Sequence, residues 1–181
     1  GSECVVLGWD PDDTHTTNFW EELADVSWTS GSTFATPTFT AKKYLWIQMY
    51  KAGTASSNIS CRLNFNDDNT TGGNTNYNRR LSANGGADWV GAGTGYDGIH
   101  LSPDNTTADY CNMFMINNSA NEKLIMAHIV NQSTAGAGTA PNRMELVGKW
   151  DTTGSQVTKV HMTSVNDALI AGSRIKVWGS D

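Results

Sequence analysis

Residues 111–130 read CNMFMINNSANEKLIMAHIV, two apolar segments on either side of a polar turn. Cys111 to Ile116 and Glu122 to Val130 have the length and apolar content of strands. The five residues between them, Asn117 to Asn121, are strong turn formers because Asn and Ser side chains bond to their own backbone. This stretch therefore predicts an antiparallel hairpin.

The segments around this hairpin also predict strands. Lys43 to Tyr50 is apolar on both faces, which predicts a central strand, whereas Ile59 to Phe65 alternates apolar and polar residues, which predicts one buried face. The remaining predicted strands are Thr33 to Thr40, Arg143 to Trp150, Gln156 to Ser164 and Arg174 to Trp178.

The fold class follows from these many short strands and the Gly-rich turns between them. They are typical of an all-β sandwich or barrel, and we predict an antiparallel sandwich of the jelly-roll type. A single helical segment is predicted at Thr17 to Asp25, with Thr17 as its N-terminal cap. The predicted core comprises Leu45, Ile47, Cys61, Leu63, Phe65, Val130, Leu146, Val160 and Val177.

Composition narrows the class of protein. The chain has 181 residues, a net charge of −6 and only 17% charged residues. It contains no basic run and no apolar stretch of about 18 residues, so we expect no nucleic-acid partner and no membrane span. Its polar residues are mostly Asn, Thr, Ser and Gly, as in extracellular or virion β-proteins.

Cysteine usage leaves one alternative open. The three cysteines, Cys4, Cys61 and Cys111, form no CxxC pair, so a disulfide between two of them is possible but its members are not specified. Cys61 lies on the apolar face of its segment, and we expect it to be a small buried side chain.

The two ends of the chain resemble each other. Residues 1–10 read GSECVVLGWD and residues 172–181 read GSRIKVWGSD, with Gly, Ser, Val, Gly and Asp in register. We predict that residues 1–13 form an arm whose strand adds to a sandwich edge, in its own chain or in a neighbour, and that 14–181 form the sandwich. Val5, Val6 and Leu7 would make this assembly strand, which implies self-association into a homo-oligomer or virion. Chance similarity between two short strands is the alternative.

Longer runs carry a resemblance to a known family. They are KKYLWIQMY (42–50), FNDDNTTGGNTNYNRRLSANGGAD (65–88), MFMINNSANEKLIMAHIVNQSTAGAGTAPNRMELVGKW (113–150) and GSRIKVWGSD (172–181). Together, over roughly residues 14–181, they resemble a recurrent domain of tailed-phage and environmental-virus structural proteins. The loop at 66–77 is longer than in that family's pattern. The resemblance implies a β-sandwich module of tail fibres, receptor-binding proteins or capsid decorations, and it implies no catalytic residues.

The segment from Ala83 to Thr107 is longer than a structural turn requires, and long loops often carry function. Exposed aromatic rings can stack on sugars while acids bond the hydroxyl groups. We therefore predict that a ligand such as a cell-surface glycan would be bound by Asp88, Trp89, Tyr96, Asp97 and His100. The alternative is that the two rings fold over the core as a lid.

Enzymatic chemistry has weak support. No GxSxG motif is present, and we assign no catalytic role to His15, His100, His128 or His161. A glycosidase would need two carboxylates in one cleft, and the candidates are irregularly spaced among glycines: Asp88, Asp97, Asp104 and Asp109. We predict a protein that is not an enzyme.

Calcium is the cofactor that the sequence leaves open. Oxygen-rich runs occur at Asp10 to Asp13 and at Asn66 to Asn69, and we name Asp67, Asp68 and Asn69 as the candidate ligands. Neither run has the twelve-residue EF-hand pattern, and Asx turns are the alternative.

The function that fits these features best is a non-enzymatic virion structural domain used in assembly, host attachment or both, located in the virion or outside the cell. A secreted carbohydrate-binding module is the alternative, and a glycan hydrolase is the third reading.

Overall fold

The computed structural model describes residues 19–53, 61–68, 76–91, 98–101, 106–131, 137–138, 140–164, 168–169 and 171–181. Within these residues the chain has twelve strands and no helix, and every strand pair is antiparallel. The strands are β1 (Glu21–Ser27), β2 (Thr33–Ala35), β3 (Tyr44–Lys51), β4 (Cys61–Phe65), β5 (Tyr77–Ala83), β6 (Trp89–Gly91), β7 (Ile99–His100), β8 (Asp109–Ile116), β9 (Lys123–Asn131), β10 (Asn142–Trp150), β11 (Val160–Ser164) and β12 (Arg174–Ser180).

The strands form two sheets that pack as a sandwich. The large sheet has the order β1-β12-β3-β8-β9-β10-β5-β6, and the small sheet has the order β2-β11-β4-β7. The block β1-β12-β3-β8 opposite β2-β11-β4-β7 is the strand order of a jelly roll, in which the chain passes repeatedly from one sheet to the other. The pairs β5–β6 and β9–β10 extend the large sheet. The predicted fold class is confirmed.

The core lies between the sheets, and eight of the nine predicted core residues are buried there. Val130 is the exception, with 44% of its surface exposed. In β9 the buried positions start at Lys123 and continue through Ile125, Ala127 and Ile129, so Val130 points outward. Both faces of this strand are apolar, so alternation does not identify the inner one, and the pairing with β8 and β10 decides it.

The predicted helix at Thr17 to Asp25 is wrong. Thr17 lies outside the described residues, and the segment Glu21–Ser27 is the edge strand β1, paired with β12. The edge of β12 supplies backbone partners for this segment, and its side chains form ion pairs such as that between Asp25 and Arg174. These tertiary contacts outweigh the weak helix propensity of a short segment.

The strand predicted from Gln156 begins only at Val160. The preceding residues make only isolated backbone hydrogen bonds to neighbouring segments, and two asparagine side chains add further bonds to them. Asn66 Oδ1 accepts hydrogen bonds from the backbone N–H groups of Thr158 (2.8 Å) and Lys159 (3.1 Å), and Asn117 Oδ1 accepts one from Val157 (2.7 Å). The strand predicted at Thr33 to Thr40 is likewise shorter and ends at Ala35.

Both described cysteines, Cys61 and Cys111, are buried. Burial raises the pKa of the Cys61 and Cys111 thiols to about 12 each, so both are protonated and unreactive at neutral pH. The expectation that Cys61 is a buried small side chain is confirmed. Cys4 lies outside the described residues.

Candidate interaction face of the large sheet

The outer face of the large sheet, which points away from the small sheet, carries side chains in rows across the strands. Rows arise because residues paired between antiparallel strands place their side chains on the same face. One row, which we call the apolar band, crosses five strands and consists of Trp178 (β12), Trp46 (β3), Phe114 (β8), Met126 (β9) and Val147 (β10).

Neighbouring rows differ in character. The row on one side of the apolar band continues it with Tyr44, Ile116 and Leu124. The row on the other side is polar, and a mixed row follows it. The polar row is Lys176, Gln48, Asn112, His128 and Glu145, and the mixed row is Arg174, Tyr50, Tyr110, Val130 and Arg143.

Aromatic contacts order one half of the apolar band. The Trp46 ring stacks on Phe114, with centroids 5.9 Å apart and planes at 12°, and on Trp178, with centroids 6.1 Å apart. Trp46 also donates its indole N–H to Asn112 Oδ1. Trp20 packs on this stack, at 5.9 Å from Trp46 and 6.5 Å from Phe114. The rings are therefore held in place before any partner binds.

The other half of the band is open to solvent. Met126 and Val147 are each 55% exposed, and Leu124 is 56% exposed. Exposed apolar side chains are unremarkable one at a time, but a contiguous set marks an interaction site. Tyr50, Tyr110, Phe114, Ile116 and Val130 are exposed on the same face.

A groove runs along this face beside the Phe19–Trp20 segment. Its volume is about 490 Å³, a size that suits a bound side chain or small ligand. Apolar residues dominate its lining: Phe19, Trp20, Tyr44, Leu45, Phe114, Met115, Ile116, Leu124, Ile125 and Met126.

Ion pairs flank the band at both ends. At the β1–β12 end, Lys176 lies 3.0 Å from Glu22 and 3.1 Å from Asp25, and the hydrogen bond from Arg174 lowers the pKa of Asp25. At the β10–β5 end, Arg143 lies 3.8 Å from Glu145, and Arg80 lies 3.1 Å from Asp88. An apolar centre with a charged rim is the usual anatomy of a protein–protein interface.

The predicted ligand site is only partly described. Tyr96 and Asp97 lie outside the described residues, and of Trp89 only the backbone, in β6, is described. Asp88 is exposed and pairs with Arg80, whereas the backbone carbonyl of His100 accepts a hydrogen bond from Arg79. Consecutive strand residues point to opposite faces, so Asp88 and His100 are held on opposite faces of β5. The glycan site at these residues stays a prediction.

The histidine and carboxylate candidates are dispersed. Asp109 starts β8 and forms a fully buried ion pair with Lys51 of β3, at 2.7 Å. His128 is exposed in the middle of β9, and burial lowers the pKa of the buried His161. His15, Asp97 and Asp104 lie outside the described residues.

The calcium candidates make hydrogen bonds and ion pairs within the protein. Asp67 lies 2.9 Å from Lys159 Nζ and 2.9 Å from His161 Nε2, and Asp68 accepts hydrogen bonds from Asn76 and from the Trp150 indole. Among the described residues, no three His, Cys, Asp or Glu side chains are grouped to hold a metal ion. Asn69 and Asp10 to Asp13 lie outside the described part, so the metal site remains a prediction.

The predicted assembly strand, with Val5, Val6 and Leu7, also lies outside the described residues. Its C-terminal counterpart, β12, is paired on both sides, by β1 and by β3. Within the described part of the chain, the outer side of β1 has no partner strand. An added strand at this end of the sheet would therefore pair with β1 and not with β12.

The sequence analysis did not predict that the outer face of the large sheet is an interaction site. The sequence contains an indication of it, because Lys43 to Tyr50 is apolar on both faces. That pattern predicts a central strand, and β3 is central within its sheet, but among the described residues its outer face is only partly covered, by Trp20 on Trp46, and Tyr50 is exposed. The pattern cannot distinguish burial under a second layer of the same chain from burial by a partner.

No protein-family model matches the sequence, and comparison with curated proteins finds no significant match. No helix in the described residues is long and apolar enough to cross a membrane. Fold and outer face together define the class of this protein: a jelly-roll β-sandwich with an exposed apolar sheet face.

Proposed function

We propose that this chain is a non-enzymatic structural domain of a virus particle, used in assembly, host attachment or both, and located in the virion or outside the cell. The observation that carries this proposal is the apolar band across five strands of the large sheet, which is exposed to solvent at Phe114, Met126 and Val147. Covering it removes apolar surface from water, at about 25 cal/mol per Å², and so favours association.

Two further features support a virion setting. Jelly rolls recur in viral capsid and lectin domains, which is an analogy at the level of the fold. The runs at 42–50, 65–88, 113–150 and 172–181 resemble structural proteins of tailed phages and environmental viruses. Both features point to a domain that works by binding neighbours.

The test is the location of the protein. An antiserum raised against the purified chain should label virus particles in electron micrographs of its source material, and the chain should be found by mass spectrometry in the same particle fraction. Pre-immune serum is the control. Particles that carry neither label nor peptide would contradict the proposal.

A secreted carbohydrate-binding module is the alternative, and one observation favours it: β6 and β7, which hold the predicted residues Trp89 and His100, each lie at an edge of their sheet. Under this alternative, Trp89→Ala with Tyr96→Ala abolishes binding to a glycan array, and Val147→Ala on the outer face does not. Release of reducing sugar from any bound glycan would instead indicate the glycan hydrolase.

A further inference from the structure

We infer that the outer face of the large sheet binds the same face of a second copy of this chain, around a two-fold axis that runs parallel to the strands and over β8. This inference rests on the proposed function, because it specifies what covers the apolar band in the assembly. Two-fold contacts of one surface with itself are the commonest arrangement of homo-oligomers.

The rows of the outer face favour this axis. A two-fold parallel to the strands reverses the order of the strands but leaves each row opposite itself. The apolar band then covers the apolar band, and the polar row with Asn112 covers the polar row. A two-fold perpendicular to the strands and through the band would instead place the polar row over Ile116 and Leu124. That would desolvate polar side chains against apolar ones.

The sizes of the side chains fit the same axis. The band is bulky at β12 and β3, with Trp178 and Trp46, and slender at β9 and β10, with Met126 and Val147. An axis over β8 brings β12 opposite β10 and β3 opposite β9. Each large ring then meets a smaller, exposed side chain of the other copy, as close packing of an interface requires.

The raised segment next to the groove fits as well. Trp20 stands on the Trp46–Phe114 stack, and the groove beside it extends over β8 and β9 to Leu124 and Met126. Rotation about an axis over β8 moves the Phe19–Trp20 segment of the second copy from the β3 side to the β9 side. The Phe19–Trp20 segment of each copy therefore lies against the groove of the other copy.

Charges at the ends of two rows are complementary. Lys176 of the polar row comes opposite Glu145, and Glu22 at the end of the apolar band comes opposite Arg80. The mixed row instead brings two like charges together, Arg174 and Arg143, and the carboxylate beside each of them offsets their repulsion. Such pairs fix the register more than they add affinity.

The area is adequate for a stable dimer. From β1 to β5 the face spans six strand spacings, roughly 29 Å, and four rows span roughly 20 Å along the strands. The product, about 600 Å² in projection, is of the order of the ~800 Å² of accessible surface that each partner buries in a standard interface.

Sedimentation of the full chain gives the first measurement. We expect a dimer that dissociates at least tenfold more readily when Val147→Trp places an indole against Trp178 of the other copy. Thr38→Trp, which adds the same ring at an exposed position next to the small sheet, should leave the dimer unchanged. Unaltered melting temperatures establish that both variants fold. A monomeric chain, or equal effects of the two substitutions, would overturn the inference.

Cross-linking locates the axis. In a Cys4→Ser background, with the buried Cys61 and Cys111 unreactive, Tyr110→Cys and Glu145→Cys each introduce one accessible thiol. Tyr110 lies on the axis, so two copies of this position are separated by about the ~10 Å between facing sheets, whereas the two copies of Glu145 are roughly 19 Å apart laterally. A bismaleimide of intermediate length should cross-link two copies of the Tyr110→Cys variant covalently. It should leave the Glu145→Cys variant without a covalent cross-link.

The opposite pattern of cross-links would overturn the two-fold over β8. Antiserum labelling of virus particles does not depend on sedimentation or cross-linking. The absence of a dimer and the absence of the protein from virus particles are therefore detected in different experiments.

Discussion

The Asn117 side chain binds the backbone of a segment that belongs to no strand, the residues before β11. It is fully buried, its Nδ2 donates to the carbonyl oxygens of Lys42 (2.9 Å) and Val157 (3.0 Å), and its Oδ1 accepts from the Val157 N–H (2.7 Å). The side chain thus joins the segment before β3, the end of β8 and the segment that leads into β11. Asn66 does the same on the other side of that segment.

We expect Asn117→Ala to lower the free energy of unfolding by about 2–4 kcal/mol, because it leaves buried backbone groups without partners. Chemical denaturation measures the change. Asn121→Ala, at an exposed position in the same turn, is the control and should change stability by less than about 0.5 kcal/mol. Similar losses in the two variants would show that the Asn117 hydrogen bonds contribute little.

His100 makes stability depend on pH. Burial, together with the nearby positive charges of Arg62 and Arg79, lowers its pKa to about 3 from about 6.5. The unfolded chain therefore takes up the proton first, and the free energy of unfolding falls as the pH falls from about 6.5 toward 3. We expect His100→Gln to reduce the loss of stability between pH 7 and pH 5, a range above the titration of the carboxylates.

Melting temperatures across this range test the effect of His100. His128→Gln, the same substitution at an exposed position in β9, is the matched control. His161, whose pKa is also lowered by burial, contributes a residual slope in both variants. A slope in His100→Gln as steep as in the wild type would contradict the assignment.

The strands β4 and β9 show when the alternation of apolar and polar residues is sufficient to identify the buried face of a strand. In β4, Cys61, Leu63 and Phe65 are buried as the alternation predicts, but Asn64, which the alternation places outward, is buried as well, because the strand lies inside the small sheet between β11 and β7. In β9 the alternation is equally regular, but both faces are apolar and the hairpin register with β8 decides that Ile129 rather than Val130 is buried. A one-residue difference reverses every side chain of a strand.

We expect Leu63→Ala to cost about 2–5 kcal/mol, because it removes a fully buried side chain from the small sheet and leaves a cavity. Leu124→Ala is the control with the same chemical change on the outer face, and it should cost less than about 0.5 kcal/mol at concentrations where the chain is a monomer. Urea denaturation compares them. A loss below about 0.5 kcal/mol for Leu63→Ala would mean that its face is assigned wrongly.

The strand β1 shows how a neighbour decides an element. Its sequence, EELADVS, has acidic residues and little β propensity, and as part of Thr17 to Asp25 it predicts a helix. In the fold it covers the edge of β12, and its acids pair with Arg174 and Lys176. The segment is a strand because an unpaired sheet edge lies next to it.

For the whole molecule, the arm that the sequence predicts at residues 1–13 concerns assembly. We predict that deleting residues 1–10 leaves a folded jelly roll and weakens self-association, because the eight jelly-roll strands and the core of the described part lie in the rest of the chain. Circular dichroism and sedimentation of the truncated and complete chains measure the two effects. If the truncated chain does not fold, the arm is instead an integral part of its own sandwich.

The sequence alone determined that this protein is an all-β sandwich, because alternation with a period of two and turn residues at short intervals are local properties. It also determined most of the core, since only one face of strands such as β4 is apolar. Tertiary structure decided the identity of β1, the inner face of β9 and the rows of the outer face. These depend on which strands become neighbours, and backbone pairing between distant segments leaves no mark on the residues of one segment. The same reason explains why the candidate interface appeared only when Trp178, Trp46, Phe114, Met126 and Val147 came together from five strands.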